Sequence, residues 1–218
     1  MKPYLLLGIL FVLLLASKSI AQDVSRFEDE VKQIALRDFQ RNDQKTFILF
    51  TGSSSVRLWS NLQTGFPEVQ ILNTGFGGST MEELLHYSDQ LIFKYQPEKI
   101  FIYEGDNDIV LGHTTERIMK ATETLLAKIQ CQLPNTKVFI IAAKPSVARW
   151  EHHAAYIDLN HSYMKLAKLQ RKVKYIDIWN PMLGDDGKPM PDIFIEDNLH
   201  MNSKGYSIWA TEMQKHIK

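Results

Sequence analysis

Four short stretches hold side chains that can do chemistry together. The first, "FILFTGSSSVRLW" over residues 47–59, runs an apolar stretch into Gly52 and then Ser53, Ser54 and Ser55. A serine hydroxyl attacks a substrate only when a base takes its proton and fixed donors hold the resulting oxyanion. A base is available in "EDNLHMNSKGY", residues 196–206, where Asp197 and His200 stand three apart. One short turn lets that carboxylate bond one ring nitrogen and leaves the other free, which holds the imidazole in the useful tautomer. Donors are available in "NTGFGGST", residues 73–80, where Gly77 and Gly78 can present backbone N–H groups at close approach, and in "YEGDND", residues 103–108, where Asn107 adds an amide N–H. Each stretch also has a plain reading. The serines can simply turn the chain, "GFGG" and "GDND" can be turns, and Asp197 and Asn202 can cap the last helix with His200 on the surface.

Which reading holds depends on the elements that carry these residues. Short runs rich in Ile, Val and Phe alternate with longer segments of helical period, the mark of an α/β fold with a parallel sheet covered by helices. The expected strands are "TFILFT" from Thr46, "VQILN" from Val69, "KIFIY" from Lys99, "KVFIIAA" from Lys137 and "KYIDI" from Lys174. Each is too continuously apolar for a strand with one wet face. Between them, Phe27, Val31, Ile34 and Ala35 share one helical face, as do Ile118, Thr122, Leu125, Leu126 and Ile129. Further helices are expected around Tyr156 to Leu169 and from about Lys204 onward, and residues 181–192 read as an irregular surface loop. Such a sheet binds ligands outside the carboxyl ends of its strands, where strand order reverses. The strand tails "TGSSS", "NTGFGGST", "YEGDND" and "AAKPS" then converge on one rim.

Composition narrows the function. Lys2 followed by "YLLLGILFVLLLA" and the small, polar "SKSIAQ" has the layout of a secretory signal, cleaved after Ala21. The rival reading is an uncleaved anchor. Residues 22–218 then form one domain, exported to a periplasm or secreted, with no stable membrane span once the signal is gone. Losing Lys2 and Lys18 leaves 23 basic against 25 acidic side chains, a net charge of −2, which gives no footprint for nucleic acid. Cys131, the only cysteine, excludes an internal disulfide and is expected as a small buried hydrophobe. The seven histidines show no metal-ligand spacing, and a cation site at Glu104 and Asp106 lacks supporting ligands. Arg57, Trp59, Phe76, Tyr103, Lys144, Arg149 and Trp150 are expected around the rim, as a lining for sugars or as packing and solvated charge.

The order of the four stretches resembles the SGNH, or GDSL-type, hydrolase family, over about Phe47 to Trp209, with "GDND" and "DNLHMNSKGY" as the most specific blocks. The resemblance implies a flavodoxin-like three-layer α/β/α sandwich around a five-stranded parallel sheet. It also implies a serine hydrolase that cleaves carboxylic esters without metal or diffusible cofactor. Carried over by position, Ser54 is the nucleophile, Asp197 the orienting acid and His200 the base, and Ser54, Gly78 and Asn107 supply the oxyanion hole. Two positions depart from the family: Ser53 and Ser79 stand where aspartates are usual, so the rim must be braced differently, and Ser53 and Ser55 stay rival nucleophiles. The implied substrates are small-molecule, lipid or acylated-sugar esters, with polysaccharide deacetylase, lysophospholipase and thioesterase as alternatives. A ligand-binding module that kept the fold and lost turnover is the reading outside enzymes. No oligomeric state follows from the sequence.

Overall fold

The computed structural model describes residues 24–217, so the signal segment expected over residues 1–21 lies outside the described residues. Five strands, β1 (Phe47–Gly52), β2 (Gln70–Asn73), β3 (Lys99–Tyr103), β4 (Lys137–Ile141) and β5 (Val173–Ile176), form one parallel sheet in the order β2-β1-β3-β4-β5. The order reverses between β1 and β3, so the loops leaving those two strands diverge to opposite faces and open a crevice at their carboxyl ends. This is the five-stranded parallel α/β architecture that the resemblance implies. Among the described residues the helices are α1 (Glu28–Ala35), α2 (Ser54–Arg57), α3 (Leu62–Gly65), α4 (Met81–His86), α5 (Ser88–Leu91), α6 (Asp106–Val110), α7 (Thr115–Gln132), α8 (His153–Leu169) and α9 (Ser203–Ile217).

Strand side chains alternate between two cores. Phe47, Leu49, Ile100, Ile102, Val138 and Ile140 face α1, α4, α7 and α8, whereas Ile48, Phe50, Phe101, Tyr103, Phe139 and Ile141 face α9 and the α2–α3 region. That two-sided burial is why β1, β3 and β4 read as apolar runs, whereas the edge strands expected to be as dry are not: β2 is only half-buried and β5 exposes Lys174, because each has a sheet neighbour on one side alone. On the α9 side the register sets Phe50 opposite Phe101 and Phe101 opposite Phe139, and their rings stack at 4.4 and 4.6 Å. Each such ring removes enough apolar surface from water to contribute about 1.5–3 kcal/mol. Trp209, Met213 and Ile217 of α9 close this core from outside.

Two local devices aim the rim. Gly52 ends β1 at φ +123°, and a Cβ there would lie 2.0 Å from the Tyr103 carbonyl oxygen, so only glycine lets β1 and β3 stay paired to their last residue. Thr80 caps α4 by a reciprocal box with Glu83, which fixes where the second strand's loop enters its helix. Gly52→Ala is expected to cost on the order of 3 kcal/mol or more through that clash and the positive φ, read as a lower urea midpoint.

Candidate active site

Past Gly52, the Ser53 N–H donates to the Tyr103 carbonyl (3.0 Å), and the chain enters α2 with Ser54 as its first residue. The Ser55 carbonyl accepts from the Tyr206 hydroxyl of α9 at 2.9 Å, so the turn is held from below by the last helix. Ser54 Oγ lies 2.9 Å from His200 Nε2. Ser53 and Ser55 are buried, at 1% and 2% exposure, and of the three it is the Ser54 hydroxyl that meets the imidazole.

The other side of the imidazole is equally fixed. Asp197 Oδ2 lies 2.5 Å from His200 Nδ1, while Oδ1 accepts the Leu199 and His200 N–H groups, each at 2.9 Å. Burial works to raise the Asp197 pKa, but these hydrogen bonds outweigh it and hold the carboxyl down at about 2. An ionised acceptor at Nδ1 keeps the proton there and turns the Nε2 lone pair toward Ser54. The loop itself is pinned: Asn198 takes the left-handed conformation (φ 56°), its carbonyl accepts the Ala148 N–H at 3.1 Å, and the Ile195 N–H donates to the His200 carbonyl at 2.9 Å. Helix capping falls to Asn202, whose Oδ1 accepts the Lys204 and Gly205 N–H groups. Asp197 is therefore the ring's partner, and Asn202 alone carries the capping role.

Gly78 and Asn107 come together. A Cβ on Gly78 would stand 3.7 and 3.8 Å from the Asn107 amide atoms, in van der Waals contact. Gly77, expected as a second N–H donor, is not one: its N–H is taken by the Glu30 carboxylate at 3.1 Å to each oxygen. Glu30 of α1 and Arg26 just ahead of it, which donates to the Gly78 carbonyl and to Glu83, brace this loop. Neither role is readable from sequence, because each spans about fifty residues. The "TMEE" capping box was the one local signal for α4.

At Ser79, where an aspartate is usual, other polar groups brace the loop. Ser79 Oγ donates to Glu104 Oε1 at 2.6 Å, and Asp108 accepts the Met81 N–H at 3.1–3.2 Å. Burial, reinforced by the Asp108 charge, pushes Glu104 well above the carboxylate range, against the lowering effect of the Ser79 hydrogen bond. Asp106 is no cation ligand, since Tyr103, Tyr156, Lys144 and Arg149 already donate to it. Trp59, Phe76 and Tyr103 belong to the core rather than the rim, and Trp59 stacks on Tyr206 at 5.2 Å. Trp150 is half-buried and stacks on His153 and Trp179. Cys131, expected to be buried, is exposed, because it lies on the outer face of α7 while Ile129 and Leu126 point inward.

The statistical description of the GDSL-like lipase/acylhydrolase family matches residues 46–208, three quarters of the chain. The chain belongs to that family. It is accordingly an ester-hydrolysing enzyme. Its fold is similar to that of a GDSL-like lipase from Bacteroides thetaiotaomicron, with TM-score 0.71 and 16% identity over 89% of this chain and 97% of that one. It is also similar to a catalytic mutant of an acetylxylan esterase from Geobacillus stearothermophilus, with TM-score 0.67 and 13% identity over 82% and 96% of the two chains. A curated N-acylneuraminate cytidylyltransferase from Escherichia coli is 25% identical over 159 residues, 69% of this chain and 36% of that protein, so the chain spans about a third of that relative's length. Among the described residues no helix is long and apolar enough to cross a membrane.

Glu104 gives the site a pH signature. Its folded pKa lies above the unfolded value, so its stabilising share is complete below the ordinary carboxylate range and is lost as pH rises toward the folded pKa. Glu104→Gln keeps the acceptor for Ser79 and removes the titration. The melting temperature of the variant, relative to the parent, should climb as pH rises above the ordinary carboxylate range.

Proposed function

We propose that this enzyme hydrolyses carboxylic esters by acyl transfer through Ser54, His200 and Asp197. The observation that carries the reading is the 2.9 Å contact between Ser54 Oγ and His200 Nε2, with Asp197 on the opposite ring nitrogen. As Oγ attacks the ester carbonyl carbon, its proton passes to Nε2, and the imidazolium that forms is stabilised by the Asp197 carboxylate. The carbonyl oxygen becomes an oxyanion, held by the Ser54 and Gly78 N–H groups and by Asn107 Nδ2. Nε2 returns the proton to the departing alkoxide, leaving an acyl group on Ser54. Water, deprotonated by His200, then attacks that acyl group and releases the acid.

A second reading concerns the substrate. The solved acetylxylan esterase of similar fold supports an acetylated sugar over a long acyl chain. Lysophospholipids and thioesters are the competing substrates, told apart by rates on esters of graded acyl length beside acetylated xylan.

Export belongs to the same proposal and rests on the basic and apolar layout of residues 1–21. The mature protein, purified from its native host and sequenced from its amino terminus, should begin at Gln22. A chain beginning at Met1 would overturn export by cleavage.

With p-nitrophenyl acetate, Ser54→Ala and His200→Ala are expected to fall to background, and Asn107→Ala to lose about a hundredfold in kcat. A fluorophosphonate probe should label Ser54 alone. A Ser54→Ala enzyme as fast as the parent, or one whose parent takes up no probe, ends the acyl-transfer reading.

A further inference from the structure

An asparagine amide has two ends of nearly equal shape and opposite chemistry, two N–H donors on one side and a carbonyl oxygen on the other. In an oxyanion hole the wrong end would set a lone pair against the developing negative charge. Something must therefore choose which way Asn107 faces. We propose that Arg149 is the positioning residue of the oxyanion hole, its guanidinium gripping Asn107 Oδ1 so that Nδ2 faces the reacting oxygen. The proposal rests on the acyl-transfer reading above and assigns the group that readies one of its donors.

The contacts on Asn107 admit one orientation. Arg149 carries only donors, and both of its terminal nitrogens, Nη1 and Nη2, lie 3.1 Å from Oδ1. Across the amide, the Ser79 carbonyl, which can only accept, takes one Nδ2 hydrogen at 2.9 Å. A flip would set N–H against N–H on one side and oxygen against oxygen on the other. The second Nδ2 hydrogen has no part in either contact and is left for the substrate. A cation on Oδ1 also draws electron density from the amide and makes that remaining N–H a stronger donor.

Arg149 is itself held in place. Its Nη1 donates to Asp106 Oδ1 at 2.6 Å, and Asp106 directly precedes Asn107 at the start of α6. The same carboxylate accepts the Tyr103 hydroxyl at 2.9 Å, the Tyr156 hydroxyl, and the ammonium of Lys144 at 3.3 Å. Lys144 is completely buried, which is costly for an ammonium unless a charge partner compensates it. Burial alone would raise the Asp106 pKa, but Lys144 and Arg149 hold it well below the carboxylate range. A purely structural ion pair would need the Asp106 contact and nothing more. The Nη2 contact with Oδ1 serves Asn107 alone.

The test compares kcat and KM on p-nitrophenyl acetate for the full enzyme and for Arg149→Met, Arg149→Lys, Asn107→Ala and the Arg149→Met/Asn107→Ala pair, with melting temperatures alongside. Arg149→Met should lower kcat by about 10- to 100-fold and leave KM within about twofold. In the Asn107→Ala background the same change should cost less than about threefold, because its target is gone. Millimolar guanidinium should restore part of the rate to Arg149→Met and none to the double variant. Arg149→Lys keeps a cation for Asp106, so it tests the idea even if Arg149→Met does not fold; it should melt near the parent yet lose kcat. A folded Arg149→Lys enzyme with parental kcat, or a Met substitution whose cost is undiminished in the Asn107→Ala background, overturns the proposal. Ser54→Ala is assayed in parallel: if it is inactive while the Arg149 variants turn over normally, only the positioning role falls, whereas if it stays active the acyl-transfer reading falls first.

Discussion

A single hydrogen bond joins Ser54 to His200 across 146 positions of chain, and nearly every feature of the fold bears on its length. The serine end is set by β1, whose last residue must be a glycine to stay paired with β3. The imidazole end is set by the short loop ahead of α9. What fixes one end against the other is the core on the α9 side, where Trp59 stacks on Tyr206 and packs edge-on against Trp209. The Tyr206 hydroxyl then ties directly to the carbonyl next to Ser54. Packing energy is converted here into a distance between two polar atoms.

Three acids within five residues, past β3 and into α6, meet three different fates, each decided by the partners burial leaves to it. Glu104 finds a hydroxyl and neighbouring carboxylates, so burial raises its pKa well above the ordinary value. Asp106 finds two basic side chains and two tyrosines, so it stays ionised despite equal burial. Asp108 finds the Met81 N–H and His113, and burial still raises it above its ordinary value. Composition would count them alike as negative surface; the rim uses them as a hydroxyl-bonded strut, an anchored charge and a backbone clasp.

The elements were legible wherever periodicity was strong. Lys99–Tyr103 is the expected third strand residue for residue, and the other four agree to within two residues at either end. The long helices α7, α8 and α9 follow their 3.6-residue patterns. Short helices such as α2, α3 and α6 left no pattern, because four or five residues cannot display a period. The chemistry-bearing residues were legible because each sits at a strand tail or a helix entry, where small and polar types stand out. Pairings across distant segments were not. Glu30 on Gly77, Ser79 on Glu104 and Arg149 on Asn107 depend on which loops the sheet order brings together, and local sequence carries no trace of that. Cys131 misleads for a related reason: the face of an element that meets the core is decided by its neighbours.

Cys131 lies in the last turn of α7, the helix that leads away from the rim and delivers the chain to the first residue of β4. As the lone thiol in the sequence, and an accessible one, it offers a single chemical handle at the end of the sheet remote from Ser54. A maleimide dye or a solid support coupled there would bind in one orientation, with the substrate-facing edge turned outward into solution.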